Sequence, residues 1–157
     1  MIYRNLKLFT ILLLLLPAGC GYRFVDPFQA SGYTLVSVKN VTAEAGLATL
    51  LEEEMRRMGG FREQSEKRVQ VVVTRFNEAV ESVSSEGLPV RQKLTMEVKW
   101  RIEAGPSSTS DSHTVLVNRS YPHVTDTASL DWNRSAAIRL LTQSAAQRIL
   151  EGLGEQP

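Results

Sequence analysis

Few side chains in this 157-residue chain could carry out nucleophilic or acid–base chemistry, because it has one cysteine and two histidines. His113 follows Asp111 and Ser112, which are the residue types of a Ser-His-Asp relay. His113 lies near the start of a predicted strand, and adjacent residues on a strand point to opposite faces, so the three cannot form a relay together. One cysteine and two histidines are also too few for the usual four-ligand zinc site. With no Gly-x-Ser-x-Gly or His-Glu-x-x-His motif, the chain is predicted to be neither an enzyme nor a cofactor-binding protein.

A second set of candidate residues consists of cations that alternate along residues 90–103. Apolar residues occupy Val90 and every second position from Leu94 to Ile102, which is typical of a strand with one buried and one wet face. The wet face carries four cations, which are Arg91, Lys93, Lys99 and Arg101. They either bind an anionic partner or form an ordinary solvated face on which Glu97 and Glu103 supply counter-charges.

The overall charge argues against one class of partner. The 18 Lys and Arg residues nearly cancel the 17 Asp and Glu residues, for a formal net charge of +1. A dedicated nucleic-acid binder normally needs a basic surplus to neutralise phosphates, so nucleic acid is not an expected partner. The length is that of one ordinary domain.

The amino terminus is typical of an exported protein. Arg4 and Lys7 precede an apolar run, LFTILLLLL, at residues 8–16. As a helix this run would span about 13 Å, less than half of the roughly 30 Å hydrocarbon core of a bilayer. It is therefore interpreted as the apolar part of a signal peptide, with a buried core helix as the alternative.

The only cysteine stands four residues after the end of this run. Residues 16–20, LPAGC, resemble the lipobox of bacterial lipoproteins. The resemblance implies cleavage before Cys20, a diacylglyceryl thioether on its sulfur and a further acyl chain on its amine. Several acyl chains anchor a protein stably. Gly21 stands where Asp favours inner-membrane retention in enteric lipoproteins, so the resemblance implies the periplasmic face of the outer membrane. Residues 1–19 are then a signal peptide, and residues 20–32 a lipidated tether.

The rest of the chain is predicted to hold four strands and two helices. The strands are at residues 33–38, 69–76, 90–103 and 113–121, with residues 82–89 and 105–111 as loops. The first helix is predicted at residues 43–58 with a C-cap at Gly59 and Gly60. The second begins after an N-cap at Asp126 or Thr127 and is closed by Gly152.

This β-α-β-β-β-α order predicts an α+β fold. Two helices can pack on one face of a four-stranded mixed sheet, which gives a two-layer sandwich and leaves the other face available to a partner. Residues 33–152 form this single domain, and residues 153–157 are a C-terminal tail. At this size the domain needs no metal or disulfide for stability.

Two segments resemble the LptE family of lipopolysaccharide-assembly lipoproteins. Cys20-Gly21-Tyr22 is similar to the Cys-Gly-Tyr/Phe start of that family. The segment VKNVT at residues 38–42, with Gly46 and Leu47 after it, is similar to the family's strand-Asn-x-Thr-helix segment. In element order the resemblance extends over the whole chain.

The family resemblance implies a structural partner. LptE-like proteins plug the outer-membrane β-barrel LptD, help it assemble and assist insertion of lipopolysaccharide into the outer leaflet. The alternating cations could then meet lipid A phosphates or acids of the barrel. The alternative function is another outer-membrane lipoprotein adaptor or ligand-binding module, such as a secretin pilot.

The position of Cys20 before every predicted core element generates a first prediction. Cys20→Ala should abolish acylation and leave the chain uncleaved and mislocalised, while the domain still folds. Metabolic labelling with a palmitate analogue measures this, with the wild-type chain as control. Label on the Cys20→Ala chain would place the anchor elsewhere.

Overall fold

The computed structural model describes residue 30, residues 32–104 and residues 112–156. The predicted signal peptide, Cys20, most of the tether and the loop at residues 105–111 lie outside the described residues.

The described chain forms a four-stranded sheet and two helices. In chain order these are β1 (Tyr33–Asn40), α1 (Leu47–Gly59), β2 (Lys67–Val83), β3 (Pro89–Ala104), β4 (Ser112–Pro122) and α2 (Thr127–Gly154). The strands lie in the order β1-β2-β3-β4. β1 and β2 are parallel, because α1 carries the chain back between them, and the other two pairs are antiparallel. The predicted α+β fold is confirmed.

The core lies between the helices and one face of the sheet. The alternation predicted for β3 is confirmed there, since Leu94, Met96 and Val98 are fully buried and Trp100 is 3% exposed. The same layer contains apolar side chains from every other element, including Leu35, Val71, Val117, Leu51, Met55, Leu141 and Ile149. The prediction that the apolar residues of this strand are buried is wrong at Val90, which is 45% exposed. Val90 lies at the end of the β2–β3 hairpin, where Val80 and Val83 are also at least half exposed.

The β2–β3 hairpin is longer than predicted. β2 continues past residue 76 to Val83, and the turn is confined to residues 84–88, where Ser84 N donates to Leu88 O at 2.7 Å. Polar residues from Asn77 onward interrupt the apolar pattern of β2. A prediction from periodicity alone therefore places the end of the strand too early. Backbone pairing with β3 continues through them.

The first helix starts later than its apolar stripe predicts, because local hydrogen bonds hold the residues before it in a turn. α1 begins at Leu47, because the Asn40 side chain bonds Thr42 N at 2.9 Å and Glu44 O at 2.5 Å and holds residues 40–44 in a turn. Its predicted C-cap is confirmed at Gly60, with φ of 58°.

The second helix begins where it was predicted to begin but extends past its predicted end. The predicted N-cap is confirmed, since Asp126 accepts from Ser129 N at 2.8 Å, and this bond lowers the Asp126 pKa. α2 continues past Gly152 to Gly154, and Leu153 is buried. Gly152 is needed for packing, because a Cβ there would lie 2.8 Å from the Trp100 ring.

A polar cluster joins the hairpin to the helical layer. Arg134 of α2 donates to both carboxylate oxygens of Glu44, at 2.7 and 3.1 Å, and to Glu78 of β2 at 2.9 Å. The Tyr121 hydroxyl at the end of β4 donates to the other oxygen of Glu78. The bond to Glu44 raises the pKa of Arg134, and burial and the bond to Glu78 raise the pKa of Tyr121. The cluster connects four separate segments of the chain.

The packing of Trp100 generates a stability prediction. Its ring stacks on His113 at 4.3 Å between centroids and lies against Gly152. Trp100→Ala should lower the free energy of unfolding by about 3–5 kcal/mol. Urea denaturation measures this, with Leu116→Ala as control, since Leu116 is 52% exposed and its loss should change stability by about 0.5 kcal/mol or less. Equal effects of the two substitutions would contradict the assignment of faces.

The Tyr121 hydroxyl generates a pH prediction. Its raised pKa means that the unfolded chain loses this proton first, once the pH passes the ordinary tyrosine value of about 10. The free energy of unfolding should then fall above pH 10, by up to about 1.4 kcal/mol per pH unit for this group. Tyr121→Phe should flatten the alkaline loss without abolishing it, because burial also raises the pKa of Tyr33. Denaturation curves from pH 8 to 11 measure both, and an unchanged slope would contradict the prediction.

Candidate functional site

The face of the sheet opposite the helices carries two adjacent rows of side chains. Paired residues on neighbouring strands point to the same face, so the registers define the rows. The first row contains Lys39, Val72, Lys99 and Thr114. The second contains Ser37, Gln70, Arg101 and Ser112. Three cations therefore come together from β1 and β3 among hydroxyl and amide groups.

All residues of these rows except Thr114 line an open concavity of about 360 Å³. Lys39, Lys99 and Arg101 border it, and none of the described residues that line it is acidic. Lys39 and Lys99 are separated by one strand, which puts their Cα atoms about 10 Å apart. We call this surface the open-face concavity.

The nearest carboxylates are held by neighbours. Arg101 donates to Gln70 Oε1 at 2.8 Å and pairs with Glu103 at 3.0 Å, which fixes the guanidinium at one side of the concavity. Glu97 accepts a hydrogen bond from the Thr74 hydroxyl at 3.0 Å. Three cations, two of them exposed lysines, outnumber these two carboxylates, and the excess of positive charge suits an anionic ligand.

The structure separates the four cations predicted on β3 into two patches. Lys99 and Arg101 border the open-face concavity. Lys93 lies six residues from Lys99 along the strand, or about 20 Å away. Arg91 lies further along the hairpin and pairs with Glu81 at 3.4 Å. Arg91 and Lys93 therefore lie on the same face of the sheet as the concavity but do not line it.

Sequence reasoning did not identify Lys39 as a site residue. Its position depends on the parallel pairing of β1 with β2, where Lys39 lies opposite Val72, which in turn lies opposite Lys99. A bulge at Val36 shifts the alternation within β1, so periodicity would not have placed Lys39 on this face. Parallel pairing across a crossover leaves no local sequence signal.

The residue types of a hydrolase relay are not brought together. His113 pairs with Trp100 on the helix-covered face, whereas Ser112 pairs with Arg101 and lines the open-face concavity. The predicted separation of Ser112 and His113 is thus confirmed, and Asp111 lies outside the described residues.

The described residues contain neither a cluster of metal-ligating side chains nor a membrane-spanning helix. Among residues 30, 32–104 and 112–156, no group of three or more His, Cys, Asp or Glu side chains could hold a metal ion. Neither helix in this part of the chain combines the length and apolar character that a membrane crossing requires.

Comparison with known proteins gives similarity at the level of structure. No family model matches the sequence, and no curated protein matches it. A candidate lipoprotein of Caulobacter crescentus has a similar structure, with a TM-score of 0.61 at 16% identity, over 85% of this chain and 98% of that one. The rare lipoprotein B of Shewanella oneidensis gives 0.57 at 16% identity, over 76% and 93%. A minor lipoprotein of Acinetobacter baumannii gives 0.52 at 17% identity, over 80% and 98%. At these identities the similarity is one of fold.

Proposed function

We propose that this chain is an outer-membrane lipoprotein that plugs the LptD β-barrel, helps it assemble and assists lipopolysaccharide insertion into the outer leaflet. The observation that carries the proposal is the open-face concavity, in which Lys39, Lys99 and Arg101 meet without an acidic residue among the described residues that line it. The LptE-like segments around Cys20 and Asn40 support it. The shared fold with proteins described as lipoproteins supports the lipoprotein part.

The chemistry of the concavity suits a phosphorylated saccharide. A guanidinium can bind two phosphate oxygens at once, and ammonium groups on flexible stems can converge on the same anion. Ser37, Gln70 and Ser112 add groups that can bond sugar hydroxyls. The lipid A headgroup offers both phosphates and sugar hydroxyls.

The attachment of the tether supports a one-ended anchor. Ala30 N donates to Gly59 O at 3.2 Å, and the Tyr33 hydroxyl donates to Leu153 O at 3.3 Å, so the chain joins the domain where both helices end. Lys39 follows Tyr33 by six residues of strand, which places the concavity within about 20 Å of that point. An acylated Cys20 would hold this end of the domain towards the membrane.

A pair of double variants tests the proposal. Lys39→Glu with Lys99→Glu should weaken binding to purified lipopolysaccharide at least about tenfold, and the defect should be largest at low salt, where charges are least screened. Arg91→Glu with Lys93→Glu is the matched control on the same face outside the concavity, and should bind nearly as wild type. Melting curves establish that both variants fold. Full binding by the first variant would remove the concavity from the proposal.

Detergent co-purification tests the partner. The wild-type lipoprotein should co-purify with LptD from outer-membrane extracts. Co-purification with a secretin in place of LptD would favour the adaptor alternative and overturn the plug.

A further inference from the structure

The two edges of the sheet are protected very differently. An edge strand presents unpaired N–H and C=O groups that can pair with another strand, and proteins usually protect such edges with bulges, charges or covering segments. β1 has a bulge at Val36. Two carbonyls before the bulge are occupied too, since Tyr33 O accepts from Arg62 N at 3.0 Å and Leu35 O from Arg56 Nη2 at 3.5 Å. The β1 edge is therefore protected by the bulge and, before it, by two occupied carbonyls.

Among the described residues the other edge, β4, has fewer protections: no bulge interrupts it, and one outward carbonyl, Leu116 O, is occupied. It pairs with β3 over eleven residues without a register shift, and its one proline is the last residue, Pro122. The strand has no lysine and no acidic residue. A long, regular edge of this kind can accept another strand.

Two hydrogen bonds define which backbone groups of β4 face outward. His123 N donates to Val90 O at 2.9 Å, so odd-numbered residues of this segment bond to β3. Leu116 O accepts from Arg148 Nη1 at 2.8 Å on the outer side, as expected if the even-numbered residues face away from β3. The outward residues are Ser112, Thr114, Leu116, Asn118 and Ser120. Among the described residues, Arg148 is the only donor to this edge.

The charges beside the edge indicate the kind of strand that fits. Arg119 is the one charged residue of β4, and it is exposed. Arg148 lies over Leu116, near the middle of the edge. Antiparallel pairing of two copies about this point would bring the two Arg148 side chains together, which like-charge repulsion disfavours. A strand with carboxylates would instead pair with both arginines.

We propose that the β4 edge binds an extended, acidic segment of another protein, which adds to the sheet as a fifth strand. Main-chain hydrogen bonds to the outward residues supply affinity, and Arg119 and Arg148 select acidic side chains. This inference rests on backbone groups at the edge, and it holds whether or not the open-face concavity binds lipopolysaccharide.

Amide hydrogen exchange with a defined probe tests the proposal. The probe is a peptide of about nine residues in which valine and glutamate alternate, and its match replaces glutamate with lysine. The acidic peptide, added to the acylated chain in detergent at about four times its Kd, should slow exchange of the Thr114, Leu116, Asn118 and Ser120 amides about fivefold. The lysine peptide at the same concentration should slow it much less.

A matched pair of variants separates backbone pairing from side-chain contact. Leu116→Pro removes an outward N–H without removing a bond to β3, and it should abolish protection by the peptide. Leu116→Ala keeps that N–H and should bind as wild type. Arg119→Gln with Arg148→Gln should reduce the preference for the acidic peptide over the lysine peptide. Melting curves confirm that each variant folds.

Three results would overturn the proposal. One is the absence of protection at the four amides with the acidic peptide. Another is equal binding by the Pro and Ala variants at position 116. The third is protection of the same amides without peptide, together with a dimer in sedimentation velocity, which would assign the edge to a second copy of this chain.

Discussion

The two-faced alternation of β3 is the constraint on which the rest of the structure depends. β3 pairs with β2 and β4 along nearly its whole length, so its side chains define both faces of the sheet. Leu94, Met96, Val98 and Trp100 are buried, and hydrophobic burial is the dominant favourable contribution to folding. The same burial forces Lys99 and Arg101 onto the uncovered face. A one-residue slip would exchange the faces, so packing of the core and placement of the cations cannot be separated.

The two proposed binding surfaces arise because the helices cover only one face of the sheet. α1 and α2 occupy the apolar side, and no helix among the described residues covers the polar side. Ser112 and Thr114 belong both to the rows of the open-face concavity and to the outward edge of β4. A strand added at that edge would therefore extend the same face that carries the concavity. Binding of an anion and of a partner segment would be neighbouring events on one surface.

The polar cluster around Arg134 stabilises the part of the hairpin that the apolar layer does not cover. The hairpin extends past the end of β1, and Val80 and Val83 in this extension are at least half exposed. Glu78 lies within this extension and bonds both Arg134 and Tyr121, so hydrogen bonds fix the hairpin where apolar burial is weak. Partly buried charges of this kind contribute chiefly to geometry. The long hairpin is thereby held in line with the sheet.

The sequence by itself determined the element order, the fold class and the faces of β3, because these depend on local periodicity and on caps such as Asp126 and Gly60. It also separated Ser112 from His113, since neighbouring strand residues must diverge. Only the tertiary structure decided which cations share a site. Lys39 joins Lys99 through parallel pairing and a bulge in β1, whereas Arg91 and Lys93 are excluded by distance along the strand. Strand register and the protection of each edge arise from contacts between residues distant in sequence, and local patterns carry no record of such contacts.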